Sequence, residues 1–366
     1  MLIVTWPGLV VRNLMRRRVR TALTAAGVAL GVGLMVAFLS IANGAKRTAD
    51  ELIHVGRADF GVFQAGTSDL TLSRLPTDLA GRIAEEDGVA HTARIYLLNT
   101  KSLLVFGYER GGFPAQRMVV TEGRRAAGRE ALVGDQAARR LHLEPGDVVR
   151  LGKRAFRVSG VYHSGNAFVD NGAVLPLPVV QRLAGRPHDV TTIAVTVSLG
   201  TRPKDVASRI ERDFPGTVAL TEPGQAVRID TSSRLIVTTG WIVSLLALIV
   251  GGIAVTNTMA MSVFERVREI GILRAVGWPT RRIAALVAGE TLAICLLALA
   301  AGLAVGYAAA ELFTAGADSA SLLEPDFTAG VFAWGLAFAL GVGLIGAAYP
   351  TWRATRLTPI EALRRE

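Results

Sequence analysis

The amino-acid sequence predicts a membrane protein with four transmembrane α-helices and a large α/β (α+β) extracytoplasmic domain inserted between helices 1 and 2. Three observations predict this class. The chain of 366 residues is 51% hydrophobic and 19% charged, whereas soluble domains have about 25% charged residues. Its long apolar runs lie in 1–42 and 235–366, and 43–234 has the composition of a soluble domain. Every Lys and Arg outside 43–234 falls on one side of the predicted spans.

Four apolar stretches reach the roughly 20 residues that a helix needs to cross a bilayer. The first stretch is longer than the apolar region of a cleaved signal peptide, which favours an uncleaved anchor. The predicted segments, in chain order, are an interfacial amphipathic helix at 1–20, transmembrane helix 1 at 21–42, the extracytoplasmic domain at 43–234, transmembrane helix 2 at 235–263, a loop at 264–282, transmembrane helix 3 at 283–314, a loop at 315–330, transmembrane helix 4 at 331–349 and a tail at 350–366.

The positive-inside rule orients these segments. Arginines cluster before span 1, between spans 2 and 3 and after span 4. In the loop between spans 3 and 4, all the charged residues are acidic. We therefore expect a protein of the plasma (inner) membrane. Both of its termini and the loop at 264–282 are expected on the cytoplasmic side. The domain at 43–234 and the loop at 315–330 are expected outside, because long domains translocate largely regardless of their charge.

The predicted outer domain mixes helical and strand patterns. Helical patterns cover Leu79–Glu86, Gln136–Leu141 and Thr201–Asp213. Strand patterns, separated by turn signals, cover Ala93–Leu98, Leu103–Tyr108, Val148–Leu151, Phe156–Tyr162 and Ile193–Val197. All five histidines lie in this domain, but none forms a metal or catalytic motif, and the glycines around Gly146 and Gly152 lack phosphate-loop spacing. The sequence predicts no enzyme activity, no cofactor and no metal in this chain.

The net charge of +10 does not indicate nucleic-acid binding. It divides into about +5 on 43–234 and +5 on the flanking segments, without a concentrated basic face. The one cysteine, Cys295, lies in an apolar run, so the cysteines of the chain can form neither an internal disulfide nor a cysteine-ligated zinc cluster.

Two stretches carry the most specific motifs of the sequence, Phe264–Ile283 and Tyr349–Arg364. They resemble the corresponding motifs of FtsX-like ABC transporter permeases of the MacB/LolC group, and the resemblance extends along the whole chain. The entry into span 1 also fits this family, with Arg12-Asn13-Leu14 and Arg20–Thr24. Four motifs of the outer domain are similar to the MacB-type periplasmic core domain. They are Glu122-Gly123-Arg124, Val133-Gly134, Leu143…Gly146-Asp147 and Phe156…Val161.

The resemblance implies a non-catalytic permease subunit that pairs with a second permease subunit, as a homo- or heterodimer. It also implies two copies of a separate ABC ATPase, which would carry the ATP and Mg. Such permeases transmit ATPase closure to the outer domains, a mode called mechanotransmission, to expel or extract drugs, peptides, lipids or lipoproteins. The alternative is a signal transmitter that activates a cell-wall hydrolase outside. An extracytoplasmic adaptor is a further possible partner.

The loop at 264–282 is predicted to hold a coupling helix that contacts the ATPase. Charged residues alternate along it, Ile270, Ile272, Leu273 and Val276 provide an apolar face to bury, and a glycine ahead of a proline ends it. The residues assigned to ATPase coupling are Glu265, Arg266, Arg268, Glu269, Gly271, Leu273, Arg274 and Gly277.

Glu290 lies about two turns into span 3, where an ionisable group is costly and indicates a function. Two alternatives stay open for it: a partner on another cytoplasmic helix end, or a carboxylate that reaches water at the interface. Two glycine pairs, Gly27/Gly31 and Gly302/Gly306, have the spacing that lets helix backbones approach closely.

Overall fold

The structure is a computed structural model that describes residues 18–100, 103–229, 231–316 and 325–356. Most of the predicted interfacial helix at 1–20 and the closing motif up to Arg364 lie outside the described residues. The chain divides into two compact units. A membrane unit comprises Met1–Asn43, Ile236–Thr314 and Pro325–Glu366, and an outer unit comprises Gly44–Leu235 and Ala315–Glu324.

Short helices and strands alternate in the middle of the chain, and long helices precede and follow them. The helices are α1 (Arg18–Ile53), α2 (Leu79–Ala84), α3 (Phe113–Gln116), α4 (Asp135–Leu141), α5 (Ala167–Asp170), α6 (Leu177–Ala184), α7 (Pro203–Asp213), α8 (Pro223–Ile229), α9 (Thr231–Phe264), α10 (Val267–Ala275), α11 (Thr280–Gly316) and α12 (Ala329–Arg356). The strands are β1 (Phe60–Gln64), β2 (Leu75–Pro76), β3 (Val89–Asn99), β4 (Leu104–Tyr108), β5 (Val119–Gly123), β6 (Ala131–Gly134), β7 (Val148–Leu151), β8 (Arg154–His163), β9 (Ala173–Pro176), β10 (Asp189–Val190), β11 (Thr192–Val197) and β12 (Thr217–Leu220).

Among the described residues, four helices, α1, α9, α11 and α12, are long and apolar enough to cross a membrane. Each contains one of the four predicted spans. The helix α1 continues past the predicted end of span 1 to Ile53, and α9 begins before the predicted start of span 2, at Thr231. The chain is therefore a multi-pass membrane protein with a mixed α/β domain between its first two spans.

Glycines of α11 allow it to pack closely against α1. A Cβ added to Gly302 would lie 2.8 Å from the carbonyl oxygen of Ala29, and one added to Gly306 would lie 2.7 Å from that of Gly33. Only glycine fits such a backbone approach, which is how small residues drive helix association in membranes. The predicted pair in α1 does not contact α11 in this way. A Cβ on Gly27 would meet nothing within 4 Å, and one on Gly31 would lie 3.1 Å from the Cβ of Ala247 in α9.

The interior of the membrane unit also holds Cys295, which is 1% exposed and unpaired with any other cysteine. It lies on α11 and faces α12, since a Cβ on Gly343 would lie 3.1 Å from its Sγ.

The outer unit is built on one large mixed sheet. Its strand order is β12-β1-β11-β3-β4-β9-β6-β8-β5, with β7 added to β8, and β10 pairs with β2 in a separate small sheet. The pairs β4/β9 and β6/β8 are parallel and the others are antiparallel. All five residues of β4 are buried, as expected for a strand covered on both faces. The predicted helices and strands of this domain each overlap an observed element of the same type.

Two glycines in neighbouring strands of this sheet explain one of the sequence motifs. Gly123 of β5 is opposite Gly160 of β8. A Cβ on Gly123 would lie 2.5 Å from the carbonyl oxygen of Ser159, and one on Gly160 would lie 2.5 Å from that of Glu122. The two backbones thus approach so closely that neither position has room for a side chain. Beyond them, Arg124 and Glu130 form two hydrogen bonds, of 2.7 and 2.5 Å, that close the 124–130 loop.

Candidate functional site

The candidate site is the segment of the membrane unit that joins α9 to α11. The helix α9 ends at Phe264, two residues form a turn, and α10 follows over Val267–Ala275. Gly277, with φ of 97°, ends α10. The amide of Gly277 donates to the carbonyl of Arg274, and the amide of Trp278 donates to that of Leu273. These are the two hydrogen bonds of a Schellman motif, in which glycine takes the left-handed conformation. The predicted short helix and its glycine end are therefore both present.

The inner face of α10 packs into the membrane unit. Val267, Ile270 and Gly271 are buried, and their spacing of three and one residues places them on one side of a helix. Ile270 also belongs to the apolar core formed by the membrane helices. Gly271 keeps this side narrow because it carries no side chain.

The outer face of α10 is exposed and partly apolar. Ile272 is 49% exposed and Val276 is 76% exposed, whereas Leu273 is half-buried. The four aliphatic residues therefore do not share one face within this chain, because Ile272 and Val276 lie on the opposite side of the helix from Ile270. Arg268 and Glu269 are exposed as well. Within this chain the outer face thus presents aliphatic and charged groups together.

An ion pair joins the turn before α10 to α11. Nη1 of Arg266 donates to Oε1 of Glu290 over 2.8 Å, and the side chains are only 16% and 7% exposed. Nε of Arg266 also lies 3.6 Å from Oε2 of Glu269. Of the two alternatives for Glu290, the structure favours the paired one, since its carboxylate is buried and bonded to arginine. A buried charge needs such a partner to offset its loss of hydration.

Two further contacts fix the segment to α1 and α12. Nη2 of Arg20, near the start of α1, lies 3.3 Å from Oε1 of Glu265. Nη1 of Arg274 donates to the backbone carbonyl of Thr355 in α12 over 3.0 Å. Together with the pair at Glu290, these contacts connect the segment to three of the membrane helices.

Sequence reasoning identified most of these side chains but not their pairing. Glu265, Arg266, Arg274 and Glu290 were each recognisable from their position in or beside an apolar run. Arg20 and the carbonyl of Thr355 were missed as partners, because both lie far along the chain from the loop. Their one sequence signal is proximity to the ends of spans on the same side of the membrane.

Known proteins match nearly the whole chain. The model of the MacB-like periplasmic core domain matches residues 21–213 and that of the FtsX-like permease C-terminal region matches 241–359. An uncharacterized ABC transporter permease of Methanocaldococcus jannaschii is 26% identical over 97% of this chain and 96% of its own length. The macrolide export ATP-binding/permease protein MacB of Burkholderia pseudomallei is 28% identical over 96% of this chain.

A third relative carries a different name. The probable syringafactin export ATP-binding/permease protein SyfD of Pseudomonas syringae is 27% identical over 96% of this chain. The chain spans 59% of the MacB protein and 58% of SyfD. The two domain models together account for both units of the structure, and the first alone covers more than half of the sequence. The chain belongs to the MacB/FtsX-like family of ABC transporter permeases.

Proposed function

We propose that this chain is the permease subunit of a mechanotransmitting ABC transporter, and that α10 is its coupling helix. The single observation that carries the proposal is the division of α10 into two faces. Its buried face packs on the membrane helices through Ile270, and the turn before it is fixed to α11 by the pair of Arg266 with Glu290. Its other face exposes Ile272 and Val276 beside charged groups. A helix fixed on one side and exposed on the other can transfer the push of a partner to the helices behind it.

The exposed face suits a groove on a partner protein. Interfaces combine apolar anchors, which lose water on binding, with a polar rim that selects the partner. Ile272 and Val276 supply the anchors, and Arg268 and Glu269 supply the rim. The sequence assigned Arg274 to contact with the ATPase. In this proposal it instead holds α10 against α12, through its hydrogen bond to the carbonyl of Thr355.

The proposed partner is an ABC ATPase in two copies, with ATP and Mg bound there and two permease subunits in the complex. The relatives MacB and SyfD support this partner, because their names combine ATP binding with permease function. In this arrangement α10 and both termini are cytoplasmic and the outer unit is extracytoplasmic, which places the arginines flanking the spans inside.

The movement would pass along the chain through α1 and α9, which each run from one unit into the other. The substrate would be an amphipathic molecule expelled or extracted outside the membrane. Support comes from the named cargoes of two relatives, a macrolide and syringafactin, which indicate that one architecture serves several chemical classes.

The test compares two substitutions that each place a carboxylate on an exposed aliphatic position. Ile272→Asp changes α10. The matched control is Leu199→Asp, which changes a fully exposed residue of the outer unit. Full-length tagged protein is purified in mild detergent, and the recovered ABC ATPase is quantified by mass spectrometry and by ATP hydrolysis.

We expect Ile272→Asp to reduce ATPase recovery at least about tenfold, corresponding to about 1.4 kcal/mol of binding free energy, with an unchanged melting temperature. Leu199→Asp should recover the ATPase as the unmodified chain does. Equal recovery with both variants would show that α10 is not the docking element.

A further inference from the structure

The outer unit contains a cluster of three metal-ligating side chains that the proposed function does not use. They are Asp135, His163 and Asp170. One oxygen of each carboxylate and one ring nitrogen of the histidine lie within 4.8 Å of one another. All three belong to the outer unit, and none lies in the coupling segment.

The sheet itself brings these residues together. Strands β6 and β8 are parallel, with Gly134 opposite Tyr162. The next residues along the two chains, Asp135 after β6 and His163 at the end of β8, therefore lie side by side. Asp170 ends α5 and reaches the same place because Gly134 has no side chain. A Cβ on Gly134 would overlap the backbone of Asp170. The cluster is thus set by strand register and by a glycine contact.

Asp170 is the most firmly held member. It is 1% exposed. Its Oδ1 accepts hydrogen bonds from the backbone amide of Ser164 over 2.7 Å and from the Ser164 hydroxyl over 2.6 Å. These bonds leave Oδ2 oriented toward Nδ1 of His163, 3.0 Å away. Secondary hydrogen bonds that orient a carboxylate in this way are typical of metal ligands.

Asp135 supplies the independent observation. Its Oδ2 lies 3.4 Å from Nδ1 of His163 and 3.0 Å from Nη2 of Arg139. Its Oδ1 is buried and has no hydrogen-bond partner within the described part of the chain. A buried polar atom without a partner is costly, and a cation held by this carboxylate would offset part of that cost.

The separations also have the right size. Ligand atoms at about 2.0 to 2.1 Å from a tetrahedral zinc ion lie about 3.3 Å from one another. The two measured separations from Nδ1 of His163 are 3.0 and 3.4 Å. The imidazole is half exposed, so that a fourth position remains open to water. One nitrogen and two carboxylate oxygens favour zinc and its transition-metal neighbours over magnesium or calcium, which prefer oxygen alone.

We propose that Asp135, His163 and Asp170 bind a divalent transition metal such as Zn²⁺, which ties the ends of β6 and β8 to α5. The probe is Zn²⁺ itself, titrated into the full-length protein in detergent after chelator treatment and without nucleotide, and followed by calorimetry and by the melting temperature. His163→Gln and Asp135→Asn remove ligands that are partly exposed, so that both variants should fold. His188→Gln, an exposed histidine of the same unit, is the matched control.

We expect saturable binding of one Zn²⁺ per chain and a raised melting temperature, with His188→Gln unchanged. Zn²⁺ affinity should fall at least about tenfold in His163→Gln and in Asp135→Asn. Unaltered binding in His163→Gln would place the ion elsewhere and overturn the proposal. Absence of saturable binding to the unmodified chain would overturn it too, and would indicate that the three residues form only a histidine–carboxylate ion pair. Neither result depends on ATPase recovery, so the coupling proposal stands or falls separately.

Discussion

Arg266 donates a hydrogen bond to Glu290 across 24 residues of sequence and over 2.8 Å. Glu290 is buried and the Arg266 side chain is 16% exposed, and the pair joins the turn before α10 to α11. The bond therefore fixes the turn between α9 and α10 at one position along α11.

Breaking this pair on one side should be strongly destabilising. We expect Glu290→Leu to lower the free energy of unfolding by about 3–5 kcal/mol, because it leaves the charge of Arg266 buried without its main partner. The double substitution Arg266→Met/Glu290→Leu removes both charges and should recover most of the loss. Unfolding of the purified protein in detergent measures both. A double variant no more stable than the single one would contradict a direct coupling between the two side chains.

The close approach of α11 to α1 predicts opposite results at two glycines. Gly306→Ala should cost about 1–3 kcal/mol of stability by overpacking, since the added Cβ would lie 2.7 Å from the carbonyl oxygen of Gly33. Gly27→Ala is the matched control in a membrane helix, because its Cβ would enter open space. Melting temperatures in the same detergent provide the comparison. Equal losses at both positions would reflect helix propensity or lipid contact and not packing.

The glycine pair of the outer sheet permits a similar test outside the membrane. Gly160→Ala should lower the free energy of unfolding by more than about 1 kcal/mol, because its Cβ would lie 2.5 Å from the carbonyl oxygen of Glu122. Gly81, within α2, has open space around it, so Gly81→Ala should raise stability by about 0.5–1 kcal/mol. The two substitutions are compared by thermal unfolding. A neutral Gly160→Ala would mean that β5 and β8 can separate without loss.

The loop closed by Arg124 and Glu130 should make a small, pH-dependent contribution to stability. The hydrogen bonds from Arg124 and the amide of Ala127 lower the pKa of Glu130. A carboxyl whose pKa is lower in the folded state stabilises that state at pH values above its unfolded pKa of about 4.3. This stabilisation disappears as the pH falls through the pKa of the folded state.

The melting temperature of Glu130→Gln should therefore lie below that of the unmodified chain at pH 7, with the difference shrinking as the pH falls below about 4. The measurement is a pair of melting curves at each pH. A difference that stays constant over this range would assign the effect to loop geometry and not to charge.

Local sequence patterns predicted the membrane helices and the end of α10. A span is recognisable because its apolar run is continuous and about 20 residues long, and Gly277 ahead of a proline specifies a helix end. The secondary structure of the outer domain followed from alternation and turn signals for the same reason. Each of these features is encoded within a few neighbouring residues.

The contacts between distant residues could not be predicted in this way. No local pattern identifies Arg266 as the partner of Glu290. Nor does any local pattern distinguish the exposed Ile272 and Val276 from the buried Ile270, since all three are aliphatic and differ only in the side of the helix they occupy. The cluster of Asp135 with His163 depends on the parallel register of two strands, which a single sequence does not reveal. The ligand spacing therefore arises from topology and not from a motif.

Cys295 gives the chain a practical property. It is the one cysteine of the sequence and is 1% exposed within the membrane unit, so that thiol-reactive probes in water have no native target at the surface. A cysteine introduced at Val276 or Leu199, both exposed, can be labelled selectively with a fluorophore or a spin label. Distances between such labels in the presence and absence of nucleotide would test the proposed movement without first removing a native thiol.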